Sequence, residues 1–255
     1  MSRLHIIGSQ LRNDNCADFN GTNEYMSRTG TLSFRSDTAG AWSMWVRLDN
    51  TFGADGFRFV WTLGTSGTNR LQFGTRRISA TGSSTFFSFA TAIGATTRGY
   101  SATTTALAAN TWYHVVFQSN GTAYSCSING VSQTITQWTG TAGNTGDWFG
   151  DHTGTSPWFT VGVQNASGAI GANFWEGRLD EFVYLPGRVF TAGEVTEIYN
   201  SGVRMNPHRY SMISSLTTWY RMGDSRDSAT TVFDELSGAN DLTLVNMDAS
   251  NYVAP

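Results

Sequence analysis

The residues able to do chemistry are few and scattered. Glu176, Asp180 and Glu181 fall within one short stretch. A retaining glycosidase needs two carboxyls about 5–5.5 Å apart, and a strand supplies them from alternate positions because these share a face. Here Glu176, Arg178, Asp180 and Phe182 share a face while Glu181 points away, so the spacing is wrong for a catalytic pair. His114 lies inside the strand pattern Trp112-Tyr113-His114-Val115 and reads as a satisfied sheet histidine. His5, His152 and His208 have no paired nucleophile, and neither Gly-x-Ser-x-Gly nor His-Glu-x-x-His occurs. The expectation is a protein without enzymatic activity.

Two other groups suggest binding. Asp234, Asn240 and Asp241 flank Gly238, and hard oxygens on a flexible turn are what calcium accepts. The same residue types build turns unaided, so calcium and plain turn chemistry both stand. The Thr/Gly loop from Thr136 to Pro157 carries Trp138, Asp147, Trp148, Phe149, Asp151 and His152, with Trp158 beyond it. Flat aromatics beside acids and amides stack on sugars, yet such rings also anchor subunit interfaces or pack a core. Trp138, Trp148, Phe149 and Trp158 are the candidate contacts for a glycan or a protein partner.

Strands must position these residues. Ala41 to Leu48 alternates, with Trp42, Met44, Val46 and Leu48 on one face and Trp45 on the other. Asn120-Gly121 and Asn129-Gly130 supply the positive φ of tight hairpin turns, predicting a three-stranded meander from Trp112 to Gln137. Phe57–Leu63 and Leu71–Ile78 read as a hairpin across Gly64–Gly67, Phe86–Ala92 and Trp158–Val163 as single strands, and Phe174–Leu185 as a long aromatic strand. Thr191 and Glu194 fit a capping box, with Phe190 and Val195 at the staple positions and Gly202 as a stop. One short helix is expected near 192–200, with Val195, Ile198 and Tyr199 packed on a sheet. A further strand is expected at Leu216–Met222.

Composition agrees. Only 14% of the 255 residues are charged, and Thr, Ser and aromatics are abundant, which favours short strands over long helices. All 16 basic residues are Arg, none clustered, and the net charge is −3, which leaves no footprint for nucleic acid. No apolar run approaches the roughly 18 residues of a membrane span, and Met1–Gln10 lacks a signal peptide's apolar core. Cys16 and Cys126 read as two buried thiols.

Four stretches, in order, resemble the laminin-G-like branch of the concanavalin A-like lectin/glucanase superfamily. They are Ala17-Asp18-Phe19-Asn20-Gly21-Thr22-Asn23-Glu24-Tyr25-Met26, Trp42-Ser43-Met44-Trp45-Val46, Trp112-Tyr113-His114-Val115 with its Asn-Gly hairpin, and Phe174 to Phe182 followed by the capped helix. The resemblance implies an all-β jelly-roll sandwich of two antiparallel sheets. It also implies that Asp180 is a structural acid anchoring a turn, and that calcium is a possible ligand though no cofactor is required.

Thr218 to Asp224 and Val232 to Leu244 resemble the segment that normally opens such a module, here placed last. The expected organisation is a sandwich over 1–203 and an extension over 204–255, too short for its own core, docked on the sandwich or on a neighbouring subunit. This ending is similar to that of tailed-bacteriophage virion proteins. The resemblance therefore implies a virion structural protein, a capsid decoration or tail-associated component. Its partners would be other virion proteins or copies of itself, and it would become extracellular on release. The alternative is a glycan-binding lectin module facing a host surface, with a glycoside hydrolase a distant third.

Overall fold

Alternation of aromatic or β-branched residues with small polar ones dominates the chain, and nearly every such run pairs into a sheet. The computed structural model describes residues 15–255 except 31, 51–55, 79–83, 95, 142, 155–156, 167–168, 205–206 and 224–225. In chain order the first strands are β1 (Cys16–Asn20), β2 (Tyr25–Thr29), β3 (Gly40–Leu48), β4 (Phe57–Ser66), β5 (Asn69–Ile78), β6 (Ser84–Ile93), β7 (Thr96–Ala102), β8 (Trp112–Ser119), β9 (Tyr124–Ile128) and β10 (Val131–Ser132). There follow β11 (Ile135–Thr139), β12 (Trp158–Val161), β13 (Asn165–Ala166), β14 (Ala169–Ile170), β15 (Glu176–Pro186), helix α1 (Ala192–Tyr199), β16 (Thr218–Tyr220), β17 (Thr231–Val232), β18 (Leu242–Val245) and β19 (Tyr252–Val253).

Among the described residues these form two large antiparallel sheets and a small hairpin, β13–β14. One sheet runs β10-β9-β8-β3-β15-β1-β19 with β16 also on β15, and the other runs β11-β7-β6-β5-β4-β12-β2-β18-β17. The fold is the concanavalin A-like jelly-roll sandwich. Its core is aromatic: Trp42 from the first sheet stacks on Phe159 of the second at 5.6 Å and 7°, and meets Phe182 and Tyr184 at 4.6 Å each.

Two pairings differ from expectation. The run Val131–Gln137 does not complete the meander: β10 stays on β9, whereas β11 crosses to pair with β7 in the other sheet. Alternation sets which way side chains point and is silent about which sheet the backbone joins. The β4–β5 turn falls at Gly67-Thr68, and Gly64 stays inside β4. A Cβ on Gly64 would lie 2.7 Å from the Arg70 Cβ and 2.8 Å from the Trp158 ring, so glycine answers close packing there.

Helix α1 is capped as its residues predict. The Glu194 amide donates to Thr191 Oγ1 at 3.2 Å and the Thr191 amide to Glu194 Oε2 at 2.8 Å. Asn200 in the left-handed region (φ 45°) ends the helix, earlier than Gly202. Val195 and Ile198 pack on the outer side of the first sheet with Val116, Val183, Phe190 and Trp219. The last residues add strands to both layers: β16 pairs with β15, β18 with β2, and β19 with β1.

Candidate functional site

Three of the four aromatics expected to contact a ligand or partner are inside the protein. Trp148 and Phe149 are fully buried and Trp158 is nearly so. Trp148 Nε1 donates to the Tyr184 hydroxyl at 3.0 Å, that hydroxyl donates to Asp37 at 2.8 Å, and the indole lies 4.8 Å from the Phe149 ring. A buried ring offers no face to a sugar or a subunit, so Trp148 and Phe149 are corrected to core residues, and Trp158 to a buried ring packed over Gly64 on the outer side of its sheet. Of the four, only Trp138 is partly accessible.

The residues considered for calcium are similarly committed. Asp234 accepts from the Trp219 and Leu236 amides at 3.1 and 3.2 Å and from Ser237 Oγ at 2.6 Å. Asn240 accepts from the Ser33 amide at 3.1 Å and donates to Thr218 Oγ1 at 2.8 Å, while Asp241 Oδ1 accepts from the Asp234 amide at 2.8 Å. The arrangement is a turn that stitches the C-terminal strands to residue 33. No cluster of three or more His, Cys, Asp or Glu placed to hold a metal occurs among the described residues.

Asp180 and Glu181 are both buried at a bulge in β15, where Glu181 takes φ 47°. Asp180 pairs with Arg204, and Glu181 Oε2 accepts from Trp219 Nε1 at 2.6 Å. Burial pushes both carboxyls well above the ordinary range, Asp180 to about 7. His114 contacts Ser43 Oγ at 2.7 Å, but burial holds its imidazole down to about 3, so it stays neutral. His152 is buried with Nδ1 3.2 Å from the Ala92 carbonyl, His208 packs edge-on against Trp219 at 5.1 Å, and His5 lies outside the described residues.

One face assembles what the loop does not. Residues 70, 72, 74 and 76 of β5 point away from the core, opposite Leu71, Phe73 and Thr75, which are buried in it. Register places Thr62, Gln72, Ala90 and Gly99 in one cross-strand row, and Phe59, Gly74, Ser88 and Ser101 in the next. A bulge between Phe59 and Trp61 resets the alternation of β4, which turns Phe57 and Phe59 to this outer face while Trp61 stays in the core. The Trp138 indole lies directly on Gly99, where an added Cβ would come within 2.1 Å of it. The Arg76 guanidinium sits 4.4 Å from the Trp138 ring centroid and 5.7 Å from Phe57, and those two rings are 5.3 Å apart.

In the first of these rows Gln72 is 3% exposed, and its Nε2 has no hydrogen-bond partner among the described residues. Its Oε1 accepts from Arg70 Nε at 3.1 Å. Ala90, between Gln72 and Gly99, stays partly accessible. The face thus brings together aromatic rings, a buried amide donor without a partner among the described residues and two half-buried guanidiniums, with Gly and Ala between them. Sequence reasoning found Trp138 alone; the period-two run Arg70-x-Gln72-x-Gly74-x-Arg76 was the signal for the rest.

A second, acidic cavity of about 240 Å³ lies at the β1–β15 end, lined by Asp18, Phe19, Asn20, Glu24, Asp49, Glu176 and Asn251. Arg178 lies 3.6 Å from Asp18 and Arg47 3.0 Å from Asp49, and burial raises the Asp18 carboxyl. Glu24 Oε2 accepts from the Asn20 amide at 2.7 Å. Phe19 is buried, so the cavity has no exposed ring.

A laminin-G-type family model of the concanavalin A-like lectin/glucanases superfamily matches residues 20–196. The chain belongs to that superfamily. No curated protein matches it. Among solved structures its fold is similar to a candidate carbohydrate binding protein from Bacteroides ovatus, with TM-score 0.58 and 16% identity, covering 94% of this chain and 60% of that one. The chain therefore spans less than two thirds of that protein. It is also similar to the CBM40 of the Ruminococcus gnavus IT-sialidase bound to alpha2,3 sialyllactose, with TM-score 0.51 and 9% identity, covering 75% of this chain and all of that one. A bacteriophage CAB120 tailspike protein, from a phage of Escherichia coli O157:H7, aligns with TM-score 0.49 and 12% identity over 87% of this chain and 31% of that one. Likenesses at these identities are likenesses of fold, and the tailspike match carries no argument about setting.

Proposed function

We propose that this protein is a glycan-binding module that holds sugar on the outer face of its nine-stranded sheet and does not cleave it. The observation that carries the reading is Trp138, spread on Gly99 beside Arg76 and Phe57, in the same cross-strand row as Gln72, whose amide is unpartnered among the described residues. A flat indole supplies a stacking surface and the amide fixes a hydroxyl, the usual division of labour in a sugar site. The two similar folds described as carbohydrate binding, or solved with sialyllactose, support the reading at the level of fold. Absence of catalysis is supported by Asp180 and Glu181, whose carboxyls are engaged inside the protein and have no route to a substrate.

Glycan binding ranks above a virion structural role because similar folds with TM-scores above 0.5 are described as carbohydrate binding or were solved with a sugar. Carriage on a phage particle is a separate proposal, supported by the resemblance of residues 218–244 and tested by searching purified particles for the chain. The functional test is a glycan array with wild type and Trp138→Ala. Retention by wild type, a loss of about tenfold or more in the variant, and no release of reducing sugar are expected. A wild type that retains no glycan would defeat the proposal.

A further inference from the structure

We infer that the glycan taken by this face is anionic, its acidic group held by Arg70 and the Gln72 amide and its sugar chain running toward Trp138 and Arg76. This rests on the proposed glycan-binding role and adds the ligand's chemical class. Arg70 and Arg76 bracket Gln72 and Gly74 on the outward side of β5. Their neighbours across the sheet are Gly64 and Ala92 for Arg70, and Phe57 and Phe86 for Arg76, so no acid faces either one from β4 or β6. Among the described residues neither guanidinium forms an ion pair, although the chain as a whole carries a net charge of −3.

A half-buried cation without a counter-ion is an unfavourable arrangement that an anionic ligand relieves. Burial alone lowers the Arg70 pKa, with no neighbouring charge acting against it. Arg70 donates its Nε–H to Gln72 Oε1 at 3.1 Å. That contact holds the Gln72 amide, nine-tenths buried and with its Nε2 unpartnered among the described residues, beside the Arg70 guanidinium. Planar donors side by side match a carboxylate or sulfate. The row Gln72–Ala90–Gly99 spans two strand spacings, about 10 Å, so the indole is within reach of the next ring of the same chain. Arg76 is laid against Trp138 and makes no ion pair among the described residues, which suits it to a second polar or acidic group.

The test is an array of sialylated, uronic-acid, sulfated and neutral glycans read with wild type, Arg70→Gln, Arg76→Gln and Arg209→Gln. Arg209 is exposed and distant in sequence, and its substitution makes the same charge change. Retention is expected for acidic glycans only, weakened by salt of about 1 M. Arg70→Gln should lose about tenfold or more, Arg76→Gln should lose in the same direction, and Arg209→Gln should stay within about twofold. Binding confined to sialylated and uronic glycans identifies a carboxylate, and binding confined to sulfated ones identifies a sulfate. Equal retention of neutral glycans that still depends on Trp138 overturns this inference and leaves the glycan-binding reading intact. Retention of nothing by wild type overturns both.

Discussion

Trp148→Ala separates a core residue from a site residue. The indole is fully buried, donates to Tyr184 at 3.0 Å, and packs on Phe117, Phe149 and the Tyr184–Asp37 pair. Truncating a buried Trp to Ala costs about 3–5 kcal/mol, because the cavity left behind collapses only partly. For a domain of this size each kcal/mol moves the melting temperature by about 2–4 °C, so a drop of roughly 6–20 °C is expected. Trp148→Phe keeps most of the packing and removes the hydrogen bond, so it should lose about 1–2 kcal/mol. Differential scanning fluorimetry gives the first readout, and glycan binding below the variant's melting range gives the second. The reasoning requires a large thermal loss with binding kept within about twofold. A Trp148→Ala protein that melts like wild type but no longer binds glycan would place the indole at the ligand and refute the assignment.

Gly99→Ala drives a methyl to within 2.1 Å of the Trp138 indole, so binding should fall while the melting temperature shifts by only a few degrees; calorimetric titration with the array's best ligand checks this. Asp180 and Glu181 are held above the ordinary carboxylate range by burial, so their protonated forms favour the fold. Their contribution is full at acid pH and fades as pH rises from near 4 toward 7. Melting temperatures should therefore decline across that window, and Glu181→Gln, whose amide oxygen still accepts from Trp219, should flatten the profile; an unchanged slope would refute it. Thr191→Ala removes the α1 cap and should cost about 0.5–2 kcal/mol in urea unfolding. Asn240→Ala takes the partner from the buried Thr218 hydroxyl and from the Ser33 amide and should cost about 1–3 kcal/mol, and wild-type melting in calcium and in chelator should coincide.

Local patterns determined a good deal. Period-two alternation marked Trp42, Met44 and Val46 as core-facing, and all three are buried. The Thr191–Glu194 box located the helix because a cap is written within four consecutive residues. Superfamily membership was legible because its motifs sit in order along the chain. Several decisions belonged to the tertiary structure alone. Ile135–Thr139 left the meander for the other sheet, and the bulge at Phe59–Trp61 turned two phenylalanines outward. Trp148 and Phe149, in a loop whose rings suit a ligand, a partner or a core alike, are held in the core by the Tyr184 hydroxyl and the Phe34 and Phe117 rings. The candidate face is of the same kind. Arg70, Gln72, Arg76, Gly99 and Trp138 come from three strands that only register brings side by side, because local sequence sets a residue's direction and only long-range pairing sets its neighbours.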